Sequence, residues 1–234
     1  MVPAVQGWNK RGRGKMNFTK WDKLLLIIIG LSVVPGIILY GQLPDQIPTH
    51  WGMNGKPDGY SSKEFGVFFF PILNLGLFFL MLFLPSIDPR KGNYQKFRGA
   101  YTIFRWVFHL FLMGTYFLAL YSAYQESIGE TAINPGKFVL PGMGILFIVL
   151  GNYMGRFRHN YFVGIRTPWT LADERVWHKT HRLGGKLFVM AGIIVLLGAF
   201  VEGFVQIFFV IGPLLGVSLF LFGYSFFQYR KINS

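Results

Sequence analysis

Histidines with charged neighbours are the residues of this sequence that could do chemistry. His178 and His181 form an H-x-x-H pair, a spacing that lets both imidazoles share one face of a helix and bind zinc. Glu174 falls on the same face as His181, but no nucleophile accompanies them and no third metal ligand stands at a telling distance. We therefore predict no metal, no cofactor and no enzyme activity. A membrane enzyme that uses zinc stays as an alternative, which stoichiometric metal in the purified protein would reveal.

A second candidate pair is Arg105 and His109, which are four residues apart in an apolar block and so share one helix face. Ionisable groups at membrane depth are functional candidates, which raises the hypothesis of a small transporter or proton-coupled carrier. The competing interpretation is that Arg105 extends toward the lipid head groups while His109 hydrogen-bonds within a helix bundle. Two observations oppose a carrier. The predicted membrane helices hold no acidic residue to pair with Arg105, and no inverted repeat is detectable.

A third set of candidates lies in residues 43–64, a segment rich in turn-forming residues. An Asn-Gly pair and an Asp-Gly pair specify tight turns, so we expect an ordered cap with an extended piece from Ile47 to Trp51. Asp45, His50 and Asp58 could bind a ligand or a metal, although turn chemistry alone also explains both Asp residues. The candidate residues of this cap are Pro44, Asp45, Pro48, His50, Asn54, Gly55, Asp58 and Gly59.

The elements that would position these groups are membrane-spanning helices. The chain is 52% hydrophobic, 18% aromatic and only 14% charged, a balance that a water-exposed surface could not accommodate. Six blocks approach the about 20 residues that a helix needs to cross a bilayer, and they are apolar all round rather than alternating. The blocks are residues 24–40, 65–84, 101–121, 138–153, 187–201 and 204–227. We predict an all-α integral membrane protein with six transmembrane helices.

Basic residues are concentrated in alternate loops. The segment before the first block, the loops after the second and fourth blocks, and the C-terminal end hold nearly all of the Lys and Arg residues, whereas the other loops hold only Lys56, Lys63 and Lys137. The positive-inside rule therefore places both termini in the cytoplasm and residues 43–64 outside. This topology and attraction to anionic lipid account for the net charge of +13. We expect no direct binding of nucleic acid.

Residues 152–186 form the longest loop on the predicted inner side. From Thr170 the pattern predicts a short amphipathic helix before the fifth span, with acids in its first turn, bases in its last turn and Gly184 as its end. We expect its apolar side chains to anchor it in the membrane interface and its bases to contact lipid phosphates. The expected anchors are Trp169, Leu171, Trp177 and Leu183, and the expected phosphate contacts are Arg175, Lys179 and Arg182.

Two stretches of the chain resemble known family signatures. The inner loop closely resembles the signature of the SdpI family of bacterial immunity proteins, through Gly164-Ile165-Arg166-Thr167-Pro168-Trp169-Thr170-Leu171, Glu174, Val176-Trp177, Lys179-Thr180-His181-Arg182 and Gly184-Gly185-Lys186. The outer cap resembles the small N-terminal domain of unknown function that often accompanies this signature, through Leu43-Pro44-Asp45-Gln46-Ile47-Pro48, His50, Asn54-Gly55 and Pro57-Asp58-Gly59. The chain then divides into a disordered basic extension (residues 1–20), an N-terminal module of three helices (residues 21–123) and an SdpI-like module of three helices (residues 124–234).

The resemblance implies a multi-pass protein of the bacterial cell membrane that gives resistance to a secreted killing peptide. It also implies a receptor that sequesters a cytoplasmic transcriptional repressor at the membrane when the toxin is present. The expected partners are therefore the peptide toxin, the repressor and membrane lipids. We assign binding and signalling to the inner signature residues Asn160, Gly164, Arg166, Thr167, Pro168, Trp169, Trp177, Lys179, His181, Arg182, Gly184 and Gly185.

Overall fold

The first span begins with a side-chain cap. The computed structural model describes residues 18–52, 56–131, 133–201 and 203–234, so the extension predicted for residues 1–20 lies almost entirely outside it and stays a prediction. The Thr19 hydroxyl accepts a hydrogen bond from the Asp22 amide, and the Asp22 carboxylate accepts one from the Thr19 amide. This capping box starts the helix at Lys20, four residues before the predicted span. The helix therefore includes a carboxylate.

In the described part of the chain, six helical spans are long and apolar enough to cross a membrane. This confirms the predicted all-α fold of a multi-pass membrane protein. The spans are, in order, α1 (Lys20–Leu31) with α2 (Val34–Leu39), α3 (Lys63–Ile87), a 3₁₀ helix (Lys91–Phe97) with α4 (Arg98–Ser127), α5 (Gly136–Met154), α7 (Glu174–Gly198) and α8 (Phe204–Asn233). A single turn, α6 (Pro168–Ala172), lies in the inner loop.

The cap on the outer side is a β-hairpin. Its strands β1 (Gln46–Trp51) and β2 (Pro57–Ser62) pair antiparallel, which confirms the predicted extended piece. Ile47 is buried, and its side chain lies against Gly66 of α3, where a Cβ atom would collide with it. The Ser62 hydroxyl caps α3 directly after β2. The hairpin is therefore fixed to the outer end of the second span.

The helices α5 and α7 pack with their backbones in contact. A Cβ atom placed at Gly151 of α5 would lie 2.6 Å from the carbonyl oxygen of Gly185 of α7. One placed at Gly144 would lie 2.8 Å from the carbonyl oxygen of Gly192. Only glycine permits this approach, and small residues are the usual basis of close helix packing in membranes. The two glycine pairs therefore fix the position of α7, which carries half of the inner signature.

The short helix predicted from Thr170 to Gly184 is wrong at both of its ends. The carboxylate of Asp173 accepts the Arg175 amide at 2.7 Å and caps α7, which then continues through Gly184 into the fifth span. Gly184 is buried against Ile165. This packing offsets the about 1 kcal/mol of helix propensity that a glycine lacks relative to alanine. One long helix therefore replaces the predicted interfacial helix and span.

Candidate functional site

Asn160 holds the inner loop together from within. Its side chain is fully buried. Its carbonyl oxygen accepts hydrogen bonds from the amides of Phe162 at 2.9 Å and Val163 at 2.7 Å. Its amide group donates to the carbonyls of Arg158 at 2.8 Å and Val163 at 3.0 Å. Because buried backbone groups need partners, these four bonds fix the turn that the loop makes at this point.

The inner end of α3 fastens the loop to the N-terminal module. Asp88 is buried and accepts hydrogen bonds from the Tyr161 amide at 2.9 Å and the Tyr94 hydroxyl at 3.2 Å. Asn93 donates to the carbonyl of His159 at 2.8 Å. Two polar contacts from the N-terminal module therefore hold a segment of the SdpI-like module. Neither Asp88 nor Asn93 was among the predicted site residues, although a lone carboxylate directly after an apolar block is a usable signal for such a contact.

His181 binds backbone groups with both of its ring nitrogens. Its Nδ1–H donates to the Trp177 carbonyl at 2.9 Å, and its Nε2 accepts from the Ile165 amide at 2.9 Å. These partners select one neutral tautomer, because a carbonyl can only accept and an amide N–H can only donate. Gly164 passes the ring with φ of +117°, and a Cβ atom there would collide with Nε2. The glycine is therefore required by both its conformation and its neighbour.

The H-x-x-H pair is not arranged as a pair of zinc ligands. Both nitrogens of His181 are occupied, and Nε2 of His178 lies 3.4 Å from the Glu174 carboxylate instead. Within the described ranges, no three His, Cys, Asp or Glu side chains lie close enough together to hold a metal ion. Glu174 therefore lies beside His178, whereas the sequence predicted that it shares a helix face with His181.

Trp177 is a core residue, so the prediction that it anchors in the membrane interface is wrong. Its side chain is fully buried, and its Nε1–H donates to the carbonyl of Phe157 at 2.9 Å. The ring stacks on His181 with the centroids 3.9 Å apart. A tryptophan in a basic loop is usually taken for an interfacial residue. Here the loop folds over it, because the indole N–H finds a buried backbone partner.

The part of the signature that precedes α7 is attached to the sixth span. Thr167 caps α6, and its hydroxyl lies 2.9 Å from that of Ser225 on α8. The Thr170 hydroxyl donates to the carbonyl of Ile165 at 2.8 Å. Trp169 packs against two phenylalanine rings of α8, with centroid separations of 4.9 and 5.0 Å. The loop therefore contacts α8 as well as α3 and α7.

The signature thus separates into a buried framework and an exposed set of cations. Buried members are Asn160, Thr167, Trp177, His181, Gly184 and Gly185. Exposed members are Gly164, Arg166, Pro168, Lys179 and Arg182. Lys179 and Arg182 lie three residues apart on α7, and Arg166 follows the Ile165 amide that binds His181. We call Arg166, Lys179 and Arg182 the basic inner surface.

Two titratable groups beside this surface, His159 and Asp173, each have a single protonation state at neutral pH. Burial, reinforced by the charge of Arg90, lowers the pKa of His159, whose Nε2–H donates to the Leu171 carbonyl at 3.1 Å. A hydrogen bond from Arg175 lowers the pKa of Asp173 to about 2. His159 is therefore neutral and Asp173 ionised at pH 7. The positive charge of the surface comes from arginine and lysine alone.

Arg105 forms an ion pair with Asp22 inside the spans. The two side chains are 4% and 2% exposed, and Nη2 of Arg105 contacts a carboxylate oxygen of Asp22. The expectation that no acidic residue lies within a membrane helix to pair with Arg105 is therefore wrong, as is the expectation that Arg105 extends to the head groups. The missed signal is the capping-box spacing from Thr19 to Asp22 ahead of the first apolar block. This finding removes one of the two arguments against a carrier.

His109 hydrogen-bonds within the bundle, as one of the two interpretations held. Its Nδ1–H donates to Asn74 Oδ1 at 2.6 Å, and the Asn74 amide lies 3.4 Å from the His109 carbonyl. Among the described residues, Nε2 of His109 and two guanidinium nitrogens of Arg105 are buried without a hydrogen-bond partner. The ion pair joins α1 to α4, and the His–Asn pair joins α3 to α4.

The outer cap brings two of its three predicted ligand residues together. Nδ1 of His50 lies 2.5 Å from the Asp58 carboxylate, and the two side chains are 73% and 52% exposed. Asp45 instead pairs with Lys63 at 2.8 Å. Two further cap residues lie outside the described part of the chain, namely Asn54 and Gly55. The His–Asp pair is therefore one exposed polar feature of the described part of this hairpin.

Comparisons with known proteins identify two regions of the chain. Residues 156–225 match the SdpI/YfhL protein family, and residues 27–75 match a domain of unknown function, DUF1648. The chain is 29% identical over 215 residues to the immunity protein SdpI of Bacillus subtilis (strain 168). The aligned region covers 92% of this chain and 98% of that protein. A stretch of 42 residues is 43% identical to an uncharacterized protein of Archaeoglobus fulgidus and covers 18% of this chain and 23% of that one. No solved structure matches the chain significantly. The resemblance predicted from the inner loop and the outer cap is confirmed.

Proposed function

We propose that this chain, whose residues 156–225 match the SdpI/YfhL protein family, is a membrane immunity protein that protects its cell from a secreted membrane-active peptide. One observation carries the proposal. The similarity to the Bacillus subtilis immunity protein runs over 92% of this chain and 98% of that protein, so it includes the outer hairpin, all six spans and the inner loop. A similarity confined to the spans would support only a shared membrane fold.

The proposed second role is recruitment of a cytoplasmic transcriptional repressor to the basic inner surface. Arg166, Lys179 and Arg182 are exposed, and the loop beneath them is held by buried hydrogen bonds. Such a rigid cluster of cations suits an acidic patch on a soluble protein, because complementary charge speeds encounter and fixes orientation. The buried signature residues would then act as its framework rather than as its contacts.

A single helix offers a path between the two faces. At its outer end α3 supports the hairpin through the contact of Ile47 with Gly66. At its inner end Asp88 binds the Tyr161 amide of the loop. A peptide that binds the hairpin can change the inner surface only if it has different affinities for two arrangements of this helix and its neighbours.

Protection is tested by expressing the chain in a sensitive strain and measuring survival against a panel of membrane-active peptides. We expect a higher inhibitory concentration for at least one peptide, and we expect Asp58→Asn to reduce the protection, because it removes the charge from the exposed His50–Asp58 pair. Glu130→Gln is the matched control, since it removes an exposed charge from another outer loop. Unchanged killing by every peptide, despite confirmed membrane insertion, would contradict immunity.

Recruitment is tested with inside-out vesicles that carry the protein and are incubated with cytosol from toxin-treated cells. We expect a DNA-binding repressor to be enriched on vesicles with the native chain and lost with Arg166→Glu, Lys179→Glu and Arg182→Glu combined. Lys96→Glu with Arg98→Glu reverses exposed cations on the same side outside the signature and should keep the repressor. Equal recovery of bound proteins from the native and signature-reversed vesicles would overturn the receptor role and leave the immunity test unaffected.

A further inference from the structure

An apolar cavity of about 370 Å³ lies beneath the inner loop. Four spans and the loop enclose it, and it is open on one side. Its lining residues are Leu77, Met81 and Leu84 of α3, Phe104 and Phe108 of α4, Leu150 and Met154 of α5, Phe188 of α7, and Phe157 with residues 162–165 of the loop. The volume lies within the range of about 300–1,000 Å³ that is usual for binding sites of small molecules. Its lining side chains are all apolar, which suits a hydrocarbon.

The cavity is shorter than one leaflet of a bilayer, whose hydrocarbon layer is about 15 Å deep, and lies along the inner half of α3. Along α3 its lining runs from Leu77 to Leu84 and stops one turn before the helix ends at Ile87. At 1.5 Å per residue this stretch spans about 10 Å along the inner half of the helix. An inner-leaflet acyl chain that enters from the head-group side would lie parallel to this wall. A water-soluble ligand would have no hydrogen-bonding side chain to meet there.

The cations beyond the lining are complementary to an anionic head group. Arg156 directly precedes the lining residue Phe157, and Arg166 directly follows the lining residue Ile165; both cations are exposed. The carboxylates at the same end have partners, since Asp88 accepts the Tyr161 amide, Asp173 pairs with Arg175 and Glu174 lies against His178, and the exposed cations of the loop outnumber them. A lipid phosphate at this end would therefore meet net positive charge.

We propose that the cavity binds one acyl chain of an anionic inner-leaflet phospholipid, with its head group beside Arg156 and Arg166. The acyl chain would pack directly under Val163, Gly164 and Ile165. The backbone amide of Ile165 is the one that donates a hydrogen bond to His181. Such a lipid would fill the cavity beneath the loop and support the loop from that side. The inference does not depend on the proposed immunity or on repressor binding.

The test uses the absence of cysteine from the native chain, which lets a single introduced cysteine carry a fluorescent bimane. Leu84→Cys reports from the cavity wall, and Phe83→Cys reports from the exposed lipid face at the same depth. The protein is placed in nanodiscs with phosphatidylglycerol or phosphatidylcholine that bears the same spin-labelled chain. We expect labelled phosphatidylglycerol to quench Leu84→Cys several-fold more than labelled phosphatidylcholine, and both lipids to quench Phe83→Cys equally.

Two sets of variants then separate the cavity from the surrounding bilayer. Leu77→Trp fills the cavity and should abolish the preference for phosphatidylglycerol, whereas Leu80→Trp on the exposed face should keep it. Arg156→Gln with Arg166→Gln should reduce the preference, while Arg230→Gln with Lys231→Gln, the same charge change elsewhere at this end, should not. If Leu77→Trp does not fold, the charge variants decide. Equal quenching of Leu84→Cys by the two lipids would overturn the proposal.

Discussion

Replacing Arg105 with methionine is expected to destabilise the protein by about 3–5 kcal/mol, because it leaves the buried Asp22 carboxylate without its partner. Asp22→Leu should have a similar effect, because it leaves the buried Arg105 guanidinium without its carboxylate partner. Combining Asp22→Leu with Arg105→Met removes both charges and fills the site with side chains of comparable size. We expect the double variant to recover most of the loss, as happens when well-packed apolar residues replace a buried ion pair, with about 1 kcal/mol still missing because the hydrogen bonds from Thr19 to Asp22 are gone.

Unfolding in graded mixtures of mild detergent and dodecyl sulfate measures these free energies. The control is Lys63→Met, which breaks the pair with Asp45, a side chain that is 93% exposed. Exposed pairs contribute about 0–1 kcal/mol, so Lys63→Met should change the unfolding midpoint little. If the double variant loses as much stability as the two single variants lose together, the contact of Arg105 with Asp22 does not determine stability.

The same double variant separates an immunity protein from a carrier. If the ion pair serves only to join α1 and α4, protection against the toxin survives in the double variant. A carrier that moves protons or ions through Arg105 and His109 would lose substrate-dependent flux in proteoliposomes, because the charges themselves would be part of its path. Flux in the native protein that disappears in the stable double variant would favour the carrier.

Gly151→Ala is the second change for which we expect a large effect. Its Cβ would lie 2.6 Å from the carbonyl oxygen of Gly185 and 2.8 Å from the backbone nitrogen of Val189, so α5 and α7 would have to separate. Forcing extra volume into a packed contact typically costs about 1–3 kcal/mol. The displaced α7 carries Trp177 and His181, so we also expect weaker protection and easier tryptic cleavage of the inner loop.

Gly216→Ala on α8 is the matched control, since its Cβ would meet no atom within 4 Å. Alanine is favoured over glycine in a helix by up to about 1 kcal/mol, so this change should leave the protein equally stable or more stable. The opposite signs of two identical substitutions would identify backbone contact as the cause. A gain in stability from Gly151→Ala would contradict the close approach of the two helices.

Much of the fold was predictable because the relevant signals are local in the chain. The length of each apolar block, the alternation of basic loops and the turn-forming residues of the hairpin act over a few residues. Even the cap of the first helix was visible, as the spacing of Thr19 and Asp22. Helix ends were the weakest part, because glycine and charge patterns that usually stop a helix were outweighed by packing at Gly184.

The resemblance of the inner loop was predictable from the sequence, but the internal organisation of the loop was not. The inner signature was identified from its residue types, whereas their roles depend on which side of the folded loop each one occupies. Trp177 and His181 looked available for binding or catalysis, and the structure buries both against backbone partners. Arg166 and Arg182 looked similar to the other loop cations, and the structure shows that both are exposed beside this buried framework.

By itself the sequence determined that the chain is a six-span membrane protein with its basic loops on one side, and which family it resembles. Hydrophobic length and charge act on each segment separately, so no knowledge of neighbours was needed. Only the tertiary structure decided the pairing of Asp22 with Arg105 across 83 residues, the contact of Asn74 with His109 across 35, and the division of the inner signature into framework and surface. These depend on burial, which is a property of the packed bundle: a polar group removed from water must find its partner in space, wherever that partner lies in the chain.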